Sequence, residues 1–219
     1  MFEWARAAGL PMLGGYDVYA YYRDASVRAH FWASGQEARD PNDKYKIAGT
    51  IPSPPKLQKT IVILPGFTEF CEKYSHEVQR FHDRGYNVLV IDWPGQGQSG
   101  HFGWHPLAVH CDDFDHHIGA MDAVIEKAGL GDHDLILFGH SMGGHLALRY
   151  AVWRPYNVKA VILSAPMMAP PVMPVWLIRI ASHLLSNIGL SRRHPPFYHA
   201  LSLDVVRHYR VENTLTRDP

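Results

Sequence analysis

Gly139-His140-Ser141-Met142-Gly143-Gly144 is the stretch where residue types and spacing suit covalent chemistry. The serine follows a short apolar run, Leu135-Ile136-Leu137-Phe138, and precedes His145 to Ala151, a segment of good helix formers. A continuous apolar run of that length reads as a strand covered on both faces. Serine on a tight strand-to-helix turn is pushed toward unusual backbone angles, and its neighbours must be small, hence Gly139 and Gly143. Such a turn lifts the Ser141 hydroxyl clear of the sheet. The following helix aims its first N–H groups, that of Met142 among them, at negative charge developing nearby. With a strand before it and a helix after it, Ser141 reads as a candidate nucleophile rather than an incidental serine in a glycine-rich turn.

The elements that must position Ser141 can be read in order. Tyr16–Tyr22 and Val27–Trp32 are aromatic and β-branched runs separated by Arg23–Ser26, which predicts an antiparallel hairpin. Residues 1 to 15 read as a lead-in, and Ser34 to Lys59, with Pro41, Pro52, Pro54 and Pro55, as a long surface connection. Thr60–Leu64 and Asn87–Ile91 are further buried strands. Between them Glu72–Arg84 carries Tyr74, Val78 and Phe81 on one stripe and stops at Gly85, which predicts a helix. Leu107 to Ala128 repeats apolar residues at spacings of four and three, predicting one long helix over that whole range. After the serine turn comes Val158–Ser164, another strand. Strand and helix alternate, so the expected class is α/β: a mostly parallel sheet with helices on both faces. From Met167 the pattern changes to prolines, methionines and an apolar helical stripe over Val175–Leu190, with a further short helix expected at Leu203–Tyr209. We therefore expect a core over 1–166 and an incomplete, helical cap over 167–219.

Composition narrows the classes. The chain has 219 residues, a formal net charge of +0 and 47% hydrophobic residues. Balanced charge argues against a nucleic-acid-binding surface. Cys71 and Cys111 form no metal or redox spacing and no disulfide framework. The first residues lack the pattern of a secretory signal, and no apolar run reaches the about 18 residues that span a bilayer. A cytoplasmic location is expected, with contact at a membrane surface through Val172–Ile180, Trp176 included, as an additional expectation; packing of the cap on its own sheet explains the same residues. His110, Asp113 and His117 fall at helical spacing but lack a fourth ligand, so the expectation is a polar face and no metal site. No cofactor is expected. Cys71 is expected to be a buried, inert thiol.

Three motifs in sequence order resemble the α/β-hydrolase family: Pro65-Gly66-Phe67 after the third strand, Asp92-Trp93-Pro94-Gly95-Gln96-Gly97-Gln98-Ser99 after the fourth, and the Gly139–Gly144 turn. The chain looks closest to the lysophospholipase and monoacylglycerol-lipase branch, grouped with the serine aminopeptidase-like hydrolases. The resemblance implies hydrolysis of carboxylic esters, with Ser141 as nucleophile and the backbone N–H groups of Phe67 and Met142 as oxyanion hole. A lysophospholipid or monoacylglycerol would be the substrate. Acyl transfer on the same scaffold, or a non-catalytic module, are the alternatives. Two positions depart from the family pattern. Pro65 stands where histidine is usual, and Pro94 replaces an arginine, which removes any ion pair that arginine makes.

The family order is serine, then acid, then histidine. Downstream of Ser141 the one acid preceding a histidine at close spacing is Asp204, before His208, and a helical pair four apart reads as a surface pair. The resemblance implies two further strands with the triad acid and base after them. The expectation is a C-terminally truncated hydrolase with nucleophile and oxyanion donors, lacking triad Asp and His, and catalytically impaired. A second expectation is that Val158–Leu163 is an open apolar edge.

Overall fold

A computed structural model describes residues 15–33, 59–102, 111, 113–168 and 174–189. Residues 1–14 of the lead-in, the 34–58 connection, His110, Leu203–Tyr209 and the Asp204/His208 pair lie outside the described residues. The chain divides into two units, 1–168 and 169–219.

The first unit is built on a six-stranded sheet: β1 (Tyr16–Tyr22), β2 (Ala25–Trp32), β3 (Thr60–Leu64), β4 (Asn87–Ile91), β5 (Leu135–His140) and β6 (Val158–Ser164). Spatial order is β1-β2-β4-β3-β5-β6. β1 and β2 form the antiparallel hairpin, and β2 runs antiparallel to β4. The pairs β3/β4, β3/β5 and β5/β6 are parallel. This is the expected fold class. The hairpin turn is tighter than expected, because Ala25 and Ser26 already pair with Tyr22 and Tyr21. That leaves Arg23 and Asp24 as the two-residue loop, with Arg23 at φ 54°.

The apolar runs are continuous because both sheet faces are covered. Val62, Leu64, Leu89, Ile91, Leu135 and Leu137 face one core with α2 (Asp115–Lys127) and α3 (Met142–Trp153). Their alternate neighbours Ile61, Ile63, Val88 and Val90 face another with α1 (Ser75–His82), which a single 3₁₀ turn, Cys71–Tyr74, introduces. The period of two along each strand separates these two sets. Among the described residues β6 pairs on one side alone, and its Ile162 and Leu163 are exposed.

One helix begins later than its periodicity predicts. α2 starts at Asp115, so Cys111 and Asp113 are not helical. Asp113 is responsible: its side chain accepts the N–H of Asp115 at 2.9 Å and its carbonyl that of His116 at 3.0 Å. A short carboxylate offering itself to the backbone opens a helix rather than continuing one. Asp113 and His117 therefore share no helical face. Among the described residues no group of three metal-ligating side chains is arranged to hold an ion.

In the second unit α4 (Val175–Asn187) is described, opened by Pro174, whose carbonyl accepts the N–H groups of Leu177 and Ile178. No helix among the described residues is long and apolar enough to cross a membrane.

Candidate active site

Ser141 stands between the end of β5 and the start of α3 at φ 50° and ψ −116°. A non-glycine residue there is strained by about 1–3 kcal/mol, and it persists where the surroundings over-determine it. They do so through both backbone groups. Its N–H donates to the carbonyl of Ser164 at 3.0 Å, and its carbonyl accepts from Met167 at 2.9 Å and Gly144 at 3.0 Å. The flanking glycines are obligatory for contact reasons. A Cβ on Gly139 would lie 2.5 Å from the Gly143 carbonyl oxygen, and one on Gly143 would lie 1.9 Å from that of Leu64. So α3 begins pressed against the end of β3.

That close approach brings the loop after β3 to the serine. A Cβ on Gly66 would lie 3.2 Å from Cβ of Ser141 and 3.0 Å from Oε2 of Glu69. Within this loop nearly every N–H is used. Gly66 donates to Glu69 Oε2 at 2.7 Å, Thr68 to Gln96 Oε1 at 2.9 Å, and Glu69 to the Gly66 carbonyl at 3.3 Å. Among the described residues the N–H of Phe67 has no acceptor. The same holds for Met142 and Gly143, the first N–H groups of α3, while Gly144 and His145 bond back to the Ser141 carbonyl. The structure therefore brings Ser141, Phe67 and Met142 to one place with the two candidate donors unengaged. The Ser141 hydroxyl has no hydrogen-bond partner among the described residues.

The polar surroundings were not legible as a motif. Glu69 is buried, and its carboxylate also accepts from the Tyr74 hydroxyl at 2.5 Å and from Lys73 Nζ at 2.5 Å. Burial alone would raise its pKa; bonds from Lys73, Tyr74 and Gly66 outweigh that and hold it below the ordinary carboxylate range. Burial and the adjacent Glu69 push the Tyr74 hydroxyl up. His140 lies beside the turn, with Nδ1 3.3 Å from the Ser164 hydroxyl and Nε2 3.8 Å from Glu69 Oε1.

Behind the loop stands a buried ion cluster. Arg28, fully buried on β2, reaches Asp17 (2.9 Å), Glu72 (2.8 Å) and Asp92 (3.0 Å). Asp92 therefore has its cation although Pro94 occupies the turn position where the family carries arginine. The other Asp92 oxygen accepts the Cys71 N–H at 2.7 Å. The Cys71 thiol donates to the Val90 carbonyl at 3.2 Å and, pushed well up by burial and then by Asp92, stays protonated. For Asp17, burial acts upward, but His30 and Arg28 prevail and lower its pKa.

The chain matches the hydrolase family described as serine aminopeptidase, S33, over residues 55–218. It belongs to this family. Phospholipase YtpA of Bacillus subtilis is 31% identical over 132 residues, 60% of this chain and 49% of that protein. Lysophospholipase L2 of Escherichia coli K12 is 30% identical over 143 residues, 64% of this chain and 40% of that protein. The chain thus spans about half the length, or less, of the curated relatives it matches. A soluble variant of monoglyceride lipase from Saccharomyces cerevisiae superimposes with a TM-score of 0.55 at 19% identity, over 81% of this chain and 52% of that one, a likeness of fold. The fold is that of the α/β hydrolases.

Proposed function

We propose that the protein to which these residues belong is a serine hydrolase of carboxylic esters, with a lipid ester such as a lysophospholipid or monoacylglycerol as substrate. One observation carries the reading: Ser141 is held at a strained strand-to-helix turn with the N–H groups of Phe67 and Met142 unengaged beside it. Ser141 Oγ attacks the ester carbonyl, and the two N–H groups receive the charge that develops on its oxygen. The alcohol leaves, and water releases the acyl group from the serine. The names of the relatives, a phospholipase and a lysophospholipase, support a lipid ester. A serine hydroxyl needs a base. No histidine among the described residues bonds to Ser141 Oγ, so in this reading the base lies outside them.

The test is hydrolysis of p-nitrophenyl butyrate and of a monoacylglycerol by the chain and by Ser141→Ala, together with labelling by a fluorophosphonate. The expected result is slow turnover and labelling that both vanish in Ser141→Ala. Turnover indifferent to that substitution would overturn the assignment.

A further inference from the structure

Four backbone groups of the loop after β3 are held by one side chain and one carboxylate. Gln96, buried in the turn after β4, donates from Nε2 to the carbonyls of Gly66 and Glu69, both at 3.1 Å. Its Oε1 accepts the Thr68 N–H at 2.9 Å. Glu69 takes the Gly66 N–H at 2.7 Å. The Gly66 carbonyl and the Phe67 N–H belong to one planar, trans peptide unit, so they point in opposite directions. The same carbonyl also accepts the Glu69 N–H, at the longer distance of 3.3 Å, and donors that fix the carbonyl fix the N–H.

We propose that Gln96 is a positioning residue of this site: by holding the Gly66 carbonyl it aims the Phe67 N–H, and by occupying Thr68 it keeps the neighbouring N–H away. This rests on the reading of Phe67 as an oxyanion donor. The hydrogen bonds of Gln96 go to Gly66, Thr68 and Glu69 and not to Ser141, so it acts through the peptide between Gly66 and Phe67. Oxyanion donors act when they stand ready before charge develops, so a peptide free to rotate loses the benefit even though the N–H is still present. Gln96 is suited because its amide offers a donor and an acceptor at once. A carboxylate of the same shape offers acceptors only.

The experiment compares Gln96→Glu with Gln96→Leu. Gln96→Glu keeps the acceptor for Thr68 but places an oxygen where two carbonyls need a donor. Three readouts are taken: the N–H residual dipolar coupling of Phe67, the rate of p-nitrophenyl butyrate hydrolysis, and Tm. The coupling of Phe67 is expected to change in both variants while those of β3 amides stay as they are. Where turnover is measured, kcat falls by about 10²-fold with KM within about threefold. An unchanged Phe67 coupling in a folded variant overturns the inference, whatever the rate. A Ser141-dependent rate that keeps its kcat in Gln96→Glu overturns it as well. If Ser141→Ala instead leaves hydrolysis unaltered, the serine reading fails, and the coupling alone then decides whether Gln96 sets the peptide. If Gln96→Glu does not fold, Gln96→Leu supplies the same couplings without an added charge.

Discussion

The turns that follow β5 and β4 both end a buried parallel strand, yet they are built on different physics. The β5 turn is short-range. Its shape is dictated by glycines within three residues of Ser141, by a strained serine, and by a helix pressed onto the end of β3. The β4 turn is long-range. Asp92 draws a guanidinium from β2 and the N–H of Cys71, Ser99 accepts the Arg28 N–H at 2.8 Å, and Gln96 reaches the loop after β3. A turn that presents one side chain needs space, which small residues supply. A turn that fixes another loop needs bonds, which buried polar residues supply.

The largest effect is expected where the long-range turn is cut. Arg28→Ala leaves Asp17, Glu72 and Asp92 facing one another in the core without their common cation. Breaking a buried pair from one side costs about 3–5 kcal/mol. Urea unfolding should register a loss of that order; a loss below about 1 kcal/mol would show that the carboxylates are satisfied without Arg28. The short-range turn should break nearly as severely. In Gly143→Ala the new methyl cannot fit 1.9 Å from the Leu64 carbonyl, so α3 must shift from β3. About 3 kcal/mol of destabilisation is expected, with loss of fluorophosphonate labelling at Ser141. Native stability with intact labelling would mean that α3 can retreat without disturbing the serine.

The same contrast explains what the sequence could tell. The strands of the parallel sheet, the hairpin and the turn at Ser141 write themselves as runs, periods and close-set glycines, because their causes lie within a few residues. The helix predicted from Leu107 is interrupted, because apolar spacing runs across Asp113, whose side chain opens a helix at Asp115; Leu107 itself lies outside the described residues. Arg28, Glu69 and Gln96 carried no local signal. Arg28 and Gln96 are single polar residues whose partners come from other elements, Asp17, Glu72 and Asp92 for the one and Gly66 and Thr68 for the other, whereas Glu69 bonds to near neighbours, Gly66, Lys73 and Tyr74, in an irregular stretch where no period marks them. One clue existed. An arginine flanked by Val27 and Ala29 on β2 must be paired if that strand is covered, and an aspartate, Asp92, directly follows β4.

A third prediction concerns the packing behind the turns. His117 on α2 is buried edge-on to Trp93 of the β4 turn, with Cys111 Sγ 3.1 Å from its Nδ1. Burial first, and then neighbouring His116, push its pKa down to about 4. The unfolded chain takes a proton there below about pH 6.5, the folded chain only below about pH 4, so stability falls as pH falls through that window. The contribution is at most about 3 kcal/mol. Denaturant midpoints for His117→Leu should be flatter than wild type between those pH values. Parallel profiles would show that His117 does not set the sensitivity in that window; Asp17 and Glu69, whose folded pKa values are depressed, add their own loss at lower pH.

The smallest effect tests whether the short-range turn stores strain. At φ 50° and ψ −116°, serine and alanine carry the same Cβ penalty, whereas glycine carries none. Ser141→Gly should therefore be more stable than Ser141→Ala by about 1 kcal/mol, the relief being partly offset by the greater freedom of glycine in the unfolded chain. Comparing these two variants rather than either with wild type removes the hydroxyl from the measurement and leaves the backbone. If alanine proves as stable as glycine, the turn holds its residue without cost, and the glycines at 139 and 143 serve contact alone. If glycine wins, the turn spends folding energy to present Ser141, a cost expected where presentation of that hydroxyl is the purpose of the turn.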